Sequence, residues 1–178
     1  MADRRRERPR CRGRNWVIGL ELADSGVGSA TMVEASPAYF EVAHGEMESR
    51  YGSRPTQFVV GDFAAMAATL ADADVVTLDC VVCCYPDAET LLRAAAQRAR
   101  KLVAFTYPRD RWYVRAFIKF ENFWQRLRRS ELRAFVHPPK RMHAVLERAG
   151  LLRAASQGTA VWMFDLYRRE TASVPPRS

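Results

Sequence analysis

The sequence predicts an α/β fold, a doubly wound and mostly parallel sheet closed by a C-terminal antiparallel hairpin. Three observations predict it. Short, continuously apolar runs alternate with segments of helical period, as parallel strands covered on both faces require. Three of these runs stop at or beside an acidic residue: Glu34, Asp62 or Asp79. After the last helical segment, two extended runs flank Gln157 and Gly158, the pattern of a hairpin.

Each element has its own signal. Val17 to Asp24 reads as the end of a helix broken by Gly26 and Gly28. Ala30 to Ala35 is a short buried strand, and Pro37 to Arg50 a helix with proline in its first turn. Gln57 to Val60 is the next strand, closed by Gly61, Asp62 and Phe63. An alanine-rich piece leads to a third strand, Ala73 to Leu78, then "DCVVCCYPD" and a helix from Ala88 to Arg100. Leu102 to Thr106 makes a fourth strand, followed by "YPRDRW". Trp112 to Arg129 spaces its aromatic residues at three and four positions, one face of a helix. A further helix begins at Pro138 or Pro139 and ends at Gly150; Leu152 to Ser156 and Ala160 to Tyr167 are the closing strands.

At 178 residues and 48% hydrophobic content, the chain can bury one substantial core, so a single domain is expected. Its net charge of +8 points toward an anionic partner, but residues 1–16 hold seven arginines against Asp3 and Glu7 and so account for +5 of it. That basic segment is expected to lie outside the domain, which spans residues 17–169; residues 170–178 are expected to be a flexible tail. A short arginine-rich run predicts weak, salt-sensitive contact with nucleic acid and no specific reading of it. No apolar stretch reaches membrane-spanning length and no secretory signal is visible, so a cytoplasmic protein is expected. Cys80, Cys83 and Cys84 sit together in an apolar run, read as small hydrophobes; no metal site is expected, although His137 and His143 are at hand.

In order and spacing, "ATMVEAS", "VVGDF", "ADVVTLDCVVCCYPD" and "LVAFTYPRDRW" resemble the second to fifth strand segments of the class I S-adenosylmethionine-dependent methyltransferases, which have a Rossmann-like sheet. The closing helix and hairpin resemble that family's sixth and seventh strands, so the likeness runs from about Val17 to Arg168. The resemblance implies S-adenosylmethionine as cofactor. Glu34, with Ala35, would hold the ribose; Asp62 and Phe63 would border the adenine; Asp79 and Cys80 would line the methyl-transfer side. It implies methyl transfer to a small-molecule acceptor without a metal, with the acceptor side built from Cys83 to Asp87, "YPRDRW" and "HPP". His137 is the base expected, with Tyr85 and Asp110 as the other candidates.

The sequence departs from the family at its first strand and glycine-rich turn. Counting back from Glu34 places that turn at Arg12 to Trp16, where "CRGRNW" stands, preceded by "MADRRRERPR". Arginine, asparagine and tryptophan side chains there would obstruct a cofactor that glycines admit. The expectation is that this first strand has been lost or replaced, by another reading frame or start. The alternative function is a non-catalytic, methyltransferase-like remnant or interaction module completed by a strand from a partner or a second copy, as a homo-oligomer. The helix from Trp112 to Arg129 is expected to pack on the sheet; covering a greasy acceptor or lying on an anionic membrane surface are the alternatives.

Overall fold

Val103, Phe105 and Tyr107 alternate along one strand, so their side chains share a face, and all three are buried. The computed structural model describes residues 28–36, 44–45, 56–130 and 132–170. In chain order these form β1 (Ala30–Glu34), β2 (Thr56–Val60), a one-turn helix α1 (Phe63–Met66), β3 (Ala73–Leu78), α2 (Ala88–Arg98), β4 (Ala99–Pro108), α3 (Trp112–Leu127), α4 (Pro139–Arg148), β5 (Leu151–Gly158) and β6 (Trp162–Arg169). Short 3-10 turns follow α1 at Ala67–Thr69 and β3 at Val82–Cys84.

β1 pairs in parallel with β2, Glu34 opposite Val60. The other four strands lie in the order β3, β4, β6, β5, with β3 and β4 parallel and β6 antiparallel to both neighbours. This is the α/β sheet with a closing antiparallel hairpin that the sequence predicts. Among the described residues no strand joins β1 to β3. The counterpart of the family's first strand falls within residues 1–27, which, like the helix end expected at 17–24, lie outside the described residues. Of the helix expected over 37–50, His44 and Gly45 are described, and both are helical.

One core holds the larger group together. Asp87 caps α2 by accepting from the Thr90 N–H at 3.1 Å and the Thr90 hydroxyl at 2.7 Å. The helix then buries Ala88, Leu91, Leu92, Ala95 and Ala96, spaced as one helical face, against β4 and α4. Pro139 opens α4, Met142, Val145 and Leu146 enter the same core, and Gly150 at φ +75° ends the helix in a conformation that favours glycine. Phe105 lies between Tyr107 and Tyr167, with ring centroids 5.5 and 6.0 Å away.

Four expectations need correction. α2 stops at Arg98 rather than Arg100, because Ala99 pairs with Ala73 and is drawn into β4. The hairpin turns at residues 159–161 rather than at Gln157 and Gly158, which pair with Phe164 and Met163 inside the ladder. Thr159 builds that turn: its hydroxyl accepts from the Val161 and Trp162 N–H groups. Gly158 serves close approach instead, since a Cβ there would lie 2.8 Å from the Trp162 carbonyl oxygen. β1 and β2 are half-buried rather than covered on both faces, with Thr31, Gln57 and Val60 exposed.

The largest correction concerns α3. Its aromatic residues do not pack on the sheet; Val114 is buried, while Trp112, Phe117, Phe120, Phe123 and Leu127 face outward. Asn122 sets that rotation. Its side chain donates to the Ala134 carbonyl at 2.7 Å and accepts from the Ala134 N–H at 2.9 Å, which fixes Asn122 on the inner face beside Val114 and Ile118.

Candidate active site

Parallel strands bring their carboxyl ends to one edge, and the chain places an acid at or just past the ends of β1, β2, β3 and β4. Glu34 closes β1, with its backbone carbonyl accepting from the Gly61 N–H at 3.0 Å, so the two strand ends are locked together. Its Oε1 accepts from the Ser36 N–H at 2.9 Å. Among the described residues no donor is bound to Oε2. Ala35 is exposed in the bend that follows.

Asp62 is more heavily engaged. It caps α1 by accepting from the Ala64 and Ala65 N–H groups at 2.8 and 3.4 Å, and both its oxygens accept from the Tyr85 hydroxyl, at 3.2 and 3.0 Å. Oδ1 is thereby saturated, and Oδ2 retains acceptor capacity. Phe63 turns back and packs against the core.

Asp79 follows β3. Its Oδ1 accepts from the Thr106 hydroxyl at 2.8 Å, while Thr106 Oγ1 accepts from the Cys80 N–H at 2.8 Å. One threonine therefore pins the first two residues of the loop. Cys80 holds a left-handed backbone at φ +54°, unusual for a side chain with a Cβ. Further along, the Cys83 thiol donates to the Cys80 carbonyl at 3.2 Å, and the Cys83 carbonyl accepts from the Phe135 N–H at 2.7 Å. Thr106 was absent from the sequence-based site, because its place beside Asp79 follows from the strand register, in which Leu78 pairs with Phe105.

The three base candidates separate. His137 Nε2 lies 3.0 Å from the Tyr85 carbonyl oxygen, which can only accept; Nε2 therefore carries the proton and Nδ1 is the basic nitrogen. Tyr85 donates to Asp62, and burial, with the hydrogen bond and charge of Asp62, raises its pKa above the ordinary tyrosine value. It is a phenol at neutral pH, a hydrogen-bond donor to Asp62. Asp110 is ion-paired with Arg115 through Nε and lies apart from the chain of contacts joining Asp62, Tyr85 and His137. His143, the other histidine of this region, is satisfied internally by the buried Asp165 at 3.0 Å.

Two surface concavities lie elsewhere. One of about 550 Å³ is lined by Asp72, Arg93, Gln97, Arg100 and Arg169, at the amino ends of β3 and β4 and so on the wrong edge for a ligand of this fold. The other, about 430 Å³, is bounded by Asp110, Trp112, Arg115 and Lys119 at the start of α3.

Neither a protein-family model nor a curated protein sequence matches the chain. Solved structures do. The magnesium protoporphyrin IX methyltransferase of Synechocystis PCC 6803 with bound SAH superposes with a TM-score of 0.65 at 14% identity, over 86% of this chain and 80% of that one. With bound SAM the same protein gives 0.60 at 15% identity, over 86% and 76%. An O-methyltransferase family protein from Burkholderia thailandensis gives 0.63 at 13% identity, over 86% and 57%. The chain therefore has the class I methyltransferase fold.

Proposed function

We propose that the protein transfers a methyl group from S-adenosylmethionine to a small-molecule acceptor. The observation that supports this most is the row of acids at the carboxyl ends of β1, β2 and β3, with one oxygen of Glu34 left open, in a fold shared with methyltransferases solved with SAM and SAH. The acids at the described strand ends suit the cofactor's polar groups, while the turn expected at Arg12 to Trp16 lies outside the described residues. Glu34 would accept from the ribose hydroxyls through Oε2, Asp62 Oδ2 would take an adenine amino hydrogen, and Asp79 and Cys80 would border the reacting end. Bound there, S-adenosylmethionine would supply an electrophilic methyl group on a sulfonium. Catalysis by the chain is then largely alignment, with proton removal from the acceptor at His137 Nδ1. Tyr85 joins the two halves of the site, its hydroxyl on Asp62 and its carbonyl on His137.

Calorimetric titration of S-adenosylmethionine into the full chain tests the reading. Micromolar binding is expected, weakened about tenfold or more in Glu34→Ala, the loss of one charged hydrogen-bond pair. No heat from a folded sample would overturn it.

A second reading has one observation in its favour: among the described residues β1 has a strand neighbour on one side only. A strand donated by a partner or second copy would complete it, as in an interaction module. Strictly monomeric, folded protein in ultracentrifugation would count against donation between copies.

A further inference from the structure

Along α3, successive residues turn by about 100°, which divides the helix into three arcs. Val114, Ile118, Asn122 and Gln125 face the protein and are buried or half-buried. Trp112, Phe117, Phe120, Phe123, Trp124 and Leu127 fill the opposite arc in one continuous stripe, with Trp112 80%, Phe117 62% and Phe120 63% exposed. Lys119 and Arg126 occupy the narrow arc between, at the rim of the stripe, and Arg128 and Arg129 follow the helix. Among the described residues no carboxylate lies within ion-pair distance of Lys119 or Arg126, whereas Arg115 on the same side is neutralised by Asp110. The Arg128 guanidinium sits 5.1 Å from the centre of the Trp124 ring, holding a cation at the indole's edge of the stripe. Val161, exposed in the hairpin turn, extends the apolar surface, since the Tyr113 hydroxyl donates to the neighbouring Ala160 carbonyl at 2.6 Å.

We infer that this face docks on an anionic lipid bilayer surface, with α3 lying in the plane of the interface. A monomer seldom exposes so much contiguous aromatic surface without a partner for it. Uncompensated cations at one rim match lipid phosphates, with the aromatic rings entering the headgroup boundary. A second copy fits less well: antiparallel pairing of two stripes would set Lys119 and Arg126 against like charges, on chains each carrying +8. The contact inferred is a peripheral one, made by the exposed face of α3 at the interface. Its orientation also has a consequence for the candidate site. Asn122 on the inner face of α3 holds Ala134, the next residue's N–H reaches Cys83, and His137 follows, so the docking helix sits directly behind the loop expected to meet the acceptor. The inference does not depend on methyl transfer.

Co-sedimentation of the full chain with phosphatidylcholine vesicles, with and without phosphatidylglycerol, tests it. Binding is expected with phosphatidylglycerol and is expected to fall with added salt. The neutral pair Phe117→Ser and Phe120→Ser should reduce it about a hundredfold, and Lys119→Gln about fivefold. Three outcomes would overturn it: no binding by folded protein; binding that survives the two serines, which would come from the arginines of residues 1–16; or a concentration-dependent dimer abolished by the same serines, which would make a second copy the occupant. Unchanged circular dichroism in the variants separates each outcome from unfolding.

Discussion

Arg169 does at the level of one residue what no local pattern could announce. Its guanidinium donates to the carbonyls of Ala96, Ala99 and Ala149, the last at 2.9 Å, and so satisfies the open ends of both α2 and α4 at once. The planar fork makes this possible, and a lysine ammonium cannot reproduce it. Arg169→Met is expected to lower stability by about 2–3 kcal/mol in urea unfolding, with Arg169→Lys recovering less than half of it. In the sequence this residue stands where the chain looks ready to fray; its role comes from three carbonyls that only folding assembles. At the candidate site the division of labour is equally specific. His137→Ala should cut turnover by about a hundredfold, whereas Tyr85→Phe should cut it less than tenfold, because Tyr85 positions and does not take a proton. Single-turnover assays with the identified acceptor would check both.

At the scale of elements, α2 and α3 are opposites. Both carry an apolar face, but α2 turns its own inward and α3 turns its own outward. Leu92, fully buried in α2, should cost about 2–5 kcal/mol when replaced by alanine. Phe120→Ser on α3 should change the unfolding free energy by less than about 0.5 kcal/mol, since most of the ring is already in water. A thermal melt of the two variants side by side checks the contrast. The same sequence pattern cannot distinguish these cases, because periodicity says which residues share a face and nothing about what that face meets. Gly158 makes the point for the hairpin: a glycine between two extended runs looks like a turn, and its actual constraint is the carbonyl of Trp162 across the ladder.

At the scale of the whole molecule, the apolar core of the described residues encloses one polar cluster. Asp165 is fully buried and accepts from Tyr107 at 2.9 Å, with His143 3.0 Å away. Burial, then the charge of Asp165, pushes the Tyr167 hydroxyl up to about 12, and burial with a hydrogen bond to Asp165 raises Tyr107 as well. A raised tyrosine holds its proton more tightly folded than unfolded, so its contribution is complete below pH 10 and fades as pH climbs from 10 toward 12. Urea midpoints across that range should therefore fall, and Tyr167→Phe should fall less steeply. A parallel decline in both proteins would remove Tyr167 as the cause.

By itself the sequence determined the sheet's strand content, the parallel first half and antiparallel close, the acids at the strand ends and the family those segments resemble, because alternation of periods and strand-end residues are local properties. Only the tertiary structure decided which acids have an oxygen to spare, that His137 is oriented by Tyr85, that Thr106 secures Asp79, and that the aromatic face of α3 looks outward. Those depend on which backbone and side-chain groups meet across long sequence separations, and an amphipathic helix has no local signal for its partner.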